Sequence, residues 1–393
     1  MVNEYIKICF ITLVNVIPPW QDGMTNLIID LSCALSELGI DVTIVTPAPH
    51  PKILEQREIK VNEHVRIFVS PYRLPRYDNL YFRTLKAGLS IIKNVVMLNR
   101  RYSFDIIHLH SQSPLASLIG AFLKIFLRKP AIYTLHSLSG SKLKPKKLPR
   151  YLFSIFDEVV VTTYEQYRLI KSFIPNLKIL PDGIMPQRFY PLTEEERMKV
   201  REDLGIYGKT VGFIGPLTRA KGFHNFLRIS RELINENSRV TFLIMNSSPG
   251  KSMKNEINAI KDIREHFVFT GYVENRNEII NCMDVVVFPF DYLGGTLGQP
   301  LALLEAMACG KAVLATDIEC VNEIIEHGVN GILCPRYDVD ALKNQLMRLL
   351  LVDNERETLG TSARASVLKK YDINLTANQL YKLYEGIREG GKG

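Results

Sequence analysis

Short apolar runs rich in β-branched residues alternate along the chain with longer segments in which apolar residues recur every three or four positions. That alternation predicts parallel strands joined by crossover helices, with helices on both faces of the sheet. The first strand falls at Ile6–Leu13. A loop containing Pro18, Pro19, Trp20, Gln21, Asp22 and Gly23 follows, then a helix over Thr25–Leu38 that Gly39 stops. Asp41–Thr46, Val65–Ser70, Asp105–His110, Ala131–His136 and Glu158–Thr162 continue the strand series, and a helix covers Ala116–Phe126.

A second series begins near Lys209 with a strand ending at Pro216, then a helix from Phe223. Strands follow at Val240–Met245, His266–Val273, Asp284–Phe290, Lys311–Asp317 and Gly331–Cys334. Two doubly wound units in succession account for this, with the join and a hinge between Ile184 and Pro191. The predicted organisation is an α/β fold with an N-terminal Rossmann-like domain over 1–187 and a C-terminal one over 188–372. A last helix, Ala377–Arg388 within 373–393, packs back toward the first domain. Ligands are expected at the carboxyl ends of both sheets, across a cleft between the halves.

Composition narrows the class. With 393 residues, 46% hydrophobic and 23% charged, the chain has the size and content of two globular domains. Its longest apolar run, Pro114–Leu127, is broken by Lys124 and falls short of the roughly 20 residues that span a bilayer. No secretory signal is expected, which points to a cytoplasmic protein. Cys9, Cys33, Cys282, Cys309, Cys320 and Cys334 form no C-x-x-C pair and read as reduced, structural thiols. The net charge of +8 is uneven: residues 1–190 carry +10 and the remainder −2. The first half is therefore expected to meet something anionic.

The sharpest motifs lie in the second half. Gly215-Pro-Leu-Thr-Arg-Ala-Lys221-Gly222 follows a strand and opens a helix, and Leu304-Glu-Ala-Met-Ala-Cys-Gly310 follows the stretch Leu293-Gly-Gly-Thr-Leu-Gly298. These resemble the retaining family 4 glycosyltransferases of the GT-B fold, whose signature is Gly-x-Leu-x-x-x-Lys-Gly and then Glu-x7-Glu. The segments from Asp22 to Pro47, Asp105–Pro114, Thr134–Ser137 and Ile179–Pro191 occur in the order the same family shows.

The resemblance implies a nucleotide-diphosphate sugar as donor, with no other cofactor and no metal. Lys221 is the first catalytic candidate, because a cation at a helix start meets charge developing on a diphosphate. Gly215 ends the preceding strand. Gly294, Gly295, Thr296, Leu297 and Gly298 form a second expected cradle for the donor, and Glu305 matches the glutamate that holds ribose hydroxyls. Gly23 falls where the family has its N-terminal glycine loop, and His136 matches a histidine near the donor sugar. A packed strand-end histidine is the alternative for His136, as it is for His108 and His110.

Two positions depart from the pattern. Pro216 stands where the family has an arginine, with Arg219 three residues on as a substitute. Leu297 stands where the first glutamate of Glu-x7-Glu belongs, and Asp291 is the nearest acid upstream. A GT-B protein that binds a nucleotide-sugar without turnover, or a nucleotide-sugar epimerase, is therefore an alternative. The segment Ser139–Tyr151, with Lys142, Lys144, Lys146, Lys147 and Arg150 and no acid, and the segment Tyr72–Lys86 mix basic and aromatic or apolar residues. They suit an anionic membrane surface and a lipid-linked acceptor, a solvated basic loop being the other reading. Nothing in the chain resembles a nucleic-acid reading motif.

Overall fold

The computed structural model describes residues 5–13, 16, 23–48, 58–71, 80–111, 116–139, 153–236, 240–246, 260–271, 273, 275–291 and 296–390. Its strands are β1 (Ile6–Thr12), β2 (Ile40–Ala48), β3 (Glu58–Lys60), β4 (Val65–Pro71), β5 (Ile106–Ser111), β6 (Ala131–Leu135), β7 (Leu138–Ser139), β8 (Glu158–Val161) and β9 (Leu177–Ile179). They continue with β10 (Lys209–Ile214), β11 (Val240–Met245), β12 (Phe267–Phe269), β13 (Val285–Phe288), β14 (Thr296–Leu297), β15 (Ala312–Thr316) and β16 (Ile332–Cys334). The contacts divide the chain into two units: residues 1–183, 296–299 and 373–393 form one, and 184–295 with 300–372 form the other.

The first unit holds an eight-stranded sheet in the order β3-β4-β2-β1-β5-β6-β8-β9. Every pairing is parallel except β3 with β4. The central strands are rich in apolar residues because both faces are covered, and every residue of β5 and of β6 is buried, the polar His108, His110, Ser111 and Thr134 included. The chain order reverses between β1 and β5, which places a topological switch point beyond Thr12 and Ser111, where doubly wound folds collect ligands. On one face Ile91, Val95, Leu98, Ile119 and Leu123 pack with Tyr133, whose ring lies 5.3 Å from those of Phe153 and Phe156.

The second unit has a six-stranded parallel sheet, β12-β11-β10-β13-β15-β16, whose order reverses between β10 and β13. Phe213, Phe223, Phe226, Phe242 and Phe267 form an aromatic series through its core, with centroid distances of 5.1–6.4 Å. At the edge of this core Asp284 accepts from Arg197 at 2.7 Å and from the Thr210 amide at 2.7 Å. Nearby, Lys311 donates from Nζ to the Asn281 carbonyl at 3.0 Å. Burial, reinforced by the Arg197 charge, pushes the Lys311 ammonium down to about 8.

Several elements differ from the sequence reading. The strand expected over His266–Val273 is only Phe267–Phe269. The helix Leu80–Tyr102 was not anticipated, because its basic residues read as a surface patch before they read as a helix. Residues 184–187 belong with the second unit, since the Ile184 amide donates to the Tyr371 carbonyl at 2.8 Å. The last helix begins four residues earlier than expected, at Ile373, and runs to Gly390. It is part of the first unit: Thr376 Oγ1 donates to the Pro181 carbonyl at 2.8 Å, and Tyr384 is fully buried.

Candidate active site

In the first unit the site grows from the carboxyl ends of β5 and β6. His108 and His110 alternate onto one side of β5, opposite Thr134 on β6, and their rings lie 4.1 Å apart. His108 is fixed at both nitrogens, Nδ1 lying 2.6 Å from the Tyr384 hydroxyl and Nε2 2.7 Å from Thr134 Oγ1. His136 follows β6. Its Nδ1 lies 2.8 Å from Asp182 Oδ1 and its Nε2 lies 3.0 Å from His110 Nδ1. Both His136 nitrogens therefore have protein partners, and the one left over is the buried Nε2 of His110. Burial, together with the neighbouring imidazoles, holds His108 and His110 well below the usual histidine range, so both are neutral near pH 7.

The segment after the glycine-rich stretch joins this cluster. Thr296 and Leu297 form β14, antiparallel to Ser139 and Leu138 of β7. A β-carbon on Gly298 would come within 2.4 Å of the His136 carbonyl oxygen, so glycine here serves a close backbone approach within the first unit. Gln299 Oε1 accepts from the Asp182 amide at 2.5 Å. Gly294 and Gly295 lie outside the described residues, as does the basic segment from Lys142 to Arg150. Gly23 opens the helix Gly23–Glu37, the first α-element of the unit.

In the second unit the loop after β10 carries the phosphate-binding candidates at the β10–β13 switch point. Gly215 takes φ +136° and donates its amide to Met245 O at 2.9 Å. Gly222 takes φ +73° and begins the helix Phe223–Asn235 without a side-chain cap; the Phe223 amide donates to the Thr218 carbonyl at 3.2 Å, which leaves the amides of His224 and Asn225 facing a ligand. A β-carbon on Gly222 would lie 1.6 Å from the Pro289 carbonyl oxygen, so no other residue fits there. The same approach brings Lys221 beside Phe290, with Nζ 5.0 Å from the ring centroid. Lys221 is half-buried, and no carboxylate among the described residues pairs with it. Burial lowers its ammonium from the ordinary lysine value.

Arg219 is largely exposed and turned toward Asp291, Nε to Oδ2 3.6 Å. Asp291, unplaced from sequence, is buried and also accepts from Asn225 Nδ2 at 2.9 Å, with His224 Nε2 3.5 Å away. Glu305, on the helix Leu301–Ala308, is likewise buried and ion-paired with Arg276. Arg276 also lines a pocket of about 290 Å³, together with Arg188, Tyr190 and Asn275. The expected site residues thus fall into two sets: Gly215, Arg219, Lys221 and Glu305 in one unit, and Gly23, His136, Thr296, Leu297 and Gly298 in the other. Asp182, Arg276 and Gln299 were not singled out from sequence, because each is defined by a partner distant in the chain. Among the described residues no group of three or more His, Cys, Asp or Glu side chains is disposed to hold a metal ion.

Comparison with known proteins agrees with this architecture. Residues 21–188 match the description Glycosyltransferase Family 4, and residues 208–351 match Glycosyl transferases group 1. The chain is 25% identical over 400 residues to a D-inositol 3-phosphate glycosyltransferase of Corynebacterium jeikeium, covering 94% of this chain and 93% of that one. It is 22% identical to a 2-deoxystreptamine N-acetyl-D-glucosaminyltransferase of Niallia circulans, covering 89% and 94%. Among solved structures, sucrose-phosphate synthase from Thermosynechococcus elongatus superposes with a TM-score of 0.81 at 20% identity, over 98% of this chain and 100% of that one. HepE of Anabaena, in complex with UDP-glucose, superposes with a TM-score of 0.73 at 19% identity, over 97% and 100%. With two Rossmann-like units, a Lys-Gly helix start at one switch point and family matches along both halves, the chain belongs to the family 4 glycosyltransferases of the GT-B fold.

Proposed function

We propose that this glycosyltransferase is a retaining enzyme that moves a sugar from a nucleotide-diphosphate sugar to a hydroxyl of a lipid-linked acceptor, at the cytoplasmic side of an anionic membrane. The observation that carries the donor part is Lys221, half-buried and free of any described carboxylate partner, one residue before the open helix start at Gly222. A cation stripped of part of its water, beside a helix N-terminus with no side-chain cap, favours a diphosphate and favours it more as charge grows there. As the sugar C1–O bond breaks, its electron pair passes to the diphosphate. The acceptor oxygen bonds to C1 on the same face, and its proton passes to the departing phosphate oxygen.

Glu305 stands where the family's ribose-binding glutamate stands, and it is paired with Arg276, which lines the 290 Å³ pocket proposed as the nucleoside seat. The HepE complex with UDP-glucose supports this class of donor. The lipid-linked acceptor and the membrane surface rest on the charge of +10 in residues 1–190 and on the segment from Lys142 to Arg150.

The test is a thermal-shift screen of UDP, GDP and ADP sugars, followed by NMR of the anomeric configuration of the product. A donor that raises Tm and yields a product of unchanged configuration supports the reading. An inverted product overturns retention, and a panel with neither binding nor turnover overturns the donor class. Binding without turnover selects the non-catalytic alternative raised by Pro216 and Leu297.

A further inference from the structure

Two helices lie side by side on one face of the first unit's sheet and turn an apolar and basic surface to solvent. In the helix Ser117–Leu127, Ile119 and Leu123 enter the core, while Leu118, Phe122, Ile125 and Phe126 are between 48% and 67% exposed. At helical spacing these four fall within an arc of about 100°. The rings of Phe122 and Phe126 stack at 5.6 Å. In the neighbouring helix Leu80–Tyr102, Ile91, Val95 and Leu98 are buried, and Lys86, Leu89, Lys93, Met97 and Arg100 line the exposed side. The two helices meet at Gly88, where a β-carbon would approach Ile119 Cδ1 to 2.9 Å.

Single exposed apolar residues are ordinary, but a clustered set of this size marks a surface with a partner. Charge says which partner. Neither helix contains an Asp or Glu, the longer one carries five Lys or Arg residues, and Arg128 and Lys129 follow the shorter. Carboxylates reach the surface only at its margins among the described residues, Asp157 on Lys124 at 2.8 Å and Glu58 on Arg101 at 3.7 Å. A second copy of the chain would bring like charge against like charge. A lipid bilayer with anionic headgroups satisfies both features, taking the apolar side chains into the acyl boundary and the basic heads among the phosphates.

We propose that this two-helix face seats the enzyme on an anionic bilayer, with Phe122, Ile125 and Phe126 entering the headgroup–acyl boundary and Lys93, Arg100 and Arg128 meeting lipid phosphates. It deepens the lipid-acceptor reading above and rests on that reading for its purpose, but its carriers are different residues from the segment 142–150. Contact here is insertion as well as attraction, so salt weakens it without abolishing it.

The experiment is sedimentation of the full chain with phosphatidylcholine vesicles, with and without about 30% phosphatidylglycerol. Three proteins are compared: wild type, the triple variant Phe122→Ser, Ile125→Ser, Phe126→Ser, and the double variant Lys93→Gln, Arg100→Gln. Wild type is expected to bind the anionic vesicles at least about tenfold better than the neutral ones. The triple variant is expected to lose about tenfold on anionic vesicles at any salt, and the double variant to lose mainly at low salt. Circular dichroism, Tm and nucleotide-induced Tm shifts should be the same for all three, since none of these side chains is in the core or at the proposed donor site.

Equal vesicle binding by wild type and triple variant overturns the proposal, as does negligible binding of wild type to both vesicles. A wild-type dimer that the triple variant turns into a monomer, with vesicle binding unchanged, makes the face a subunit interface and also overturns it. Vesicle binding as expected, with transfer only to water-soluble acceptors, leaves the docking face standing and removes the lipid-acceptor reading.

Discussion

His136 points its Nε2 at Nδ1 of His110, 3.0 Å away, while its other nitrogen is held 2.8 Å from Asp182. Asp182 thereby sets the tautomer of a neutral ring: with the Nδ1 proton of His136 given to the carboxylate, Nε2 is left to accept from His110. The free end of the string, His110 Nε2, is then a bare acceptor, and one added proton anywhere along it makes that end a donor. Replacing Asp182 by Asn keeps the shape and loses this polarity. We expect Asp182→Asn to lower kcat by about tenfold to a hundredfold, with the nucleotide-induced Tm shift unchanged. An unaltered kcat would show that the string is structural only.

Lys221→Ala removes the one half-buried cation at the Gly222 helix start. A loss of about 10² to 10³ in kcat/KM is expected, because the charge it meets develops in the transition state, with a smaller loss in nucleotide affinity. Its lowered pKa fixes the direction with pH. Wild-type affinity for a nucleoside diphosphate should fall as pH rises and Lys221 loses its proton earlier than an ordinary lysine does. Calorimetry from about pH 7 to 10 should show that fall in wild type and a shallower one in the variant.

Gly222 and Gly205 separate conformational strain from collision. Both have positive φ, +73° and +65°, but a β-carbon meets nothing within 4 Å at Gly205 and would sit 1.6 Å from Pro289 O at Gly222. Gly205→Ala should cost about 1 kcal/mol in denaturant unfolding. Gly222→Ala should cost about 3 kcal/mol or more, or give no folded protein. Equal costs would mean that the loop after β13 yields to the new atom.

Lys311 ties stability to pH. Its folded pKa of about 8 lies below the unfolded lysine value, so the native state binds fewer protons in between, and this residue's contribution to stability rises with pH from about 8 to 10.4. Buried Cys9, Cys282, Cys309 and Cys334 act oppositely: burial raises their thiols, so the native state keeps protons that the unfolded chain releases. The wild-type slope is therefore a sum, and the comparison with Lys311→Met isolates the lysine. The variant should gain most over wild type near pH 7 and least near pH 10; a constant difference would count against a buried, perturbed lysine.

What could be read from the sequence follows from the range of the interactions. Strands β5 and β6, covered on both faces, are mostly apolar, and a turn such as Gly215–Gly222 needs its glycines in order along the chain. Both are local demands that leave a pattern. Asp182 answers to a ring 46 residues away, its amide to a glutamine 117 residues away, and Glu305 to Arg276, 29 residues earlier. Such pairs leave no periodic trace. At Gly298, in the stretch read as a ligand cradle, the absence of a side chain also makes room for the His136 carbonyl, a packing demand the sequence does not display. The helix Leu80–Tyr102 escaped notice for a related reason, since its exposed lysines and arginines outweighed the buried stripe of Ile91, Val95 and Leu98.

Tyr384 belongs to a helix that is made only after the whole second unit has been synthesised, yet its ring is fully buried in the first unit and its hydroxyl lies 2.6 Å from His108, 276 residues upstream. On the ribosome, then, residues 1–183 cannot complete their unit as they emerge: its last helix is still to come, and one flank stays uncovered until residues 184–372 have been synthesised.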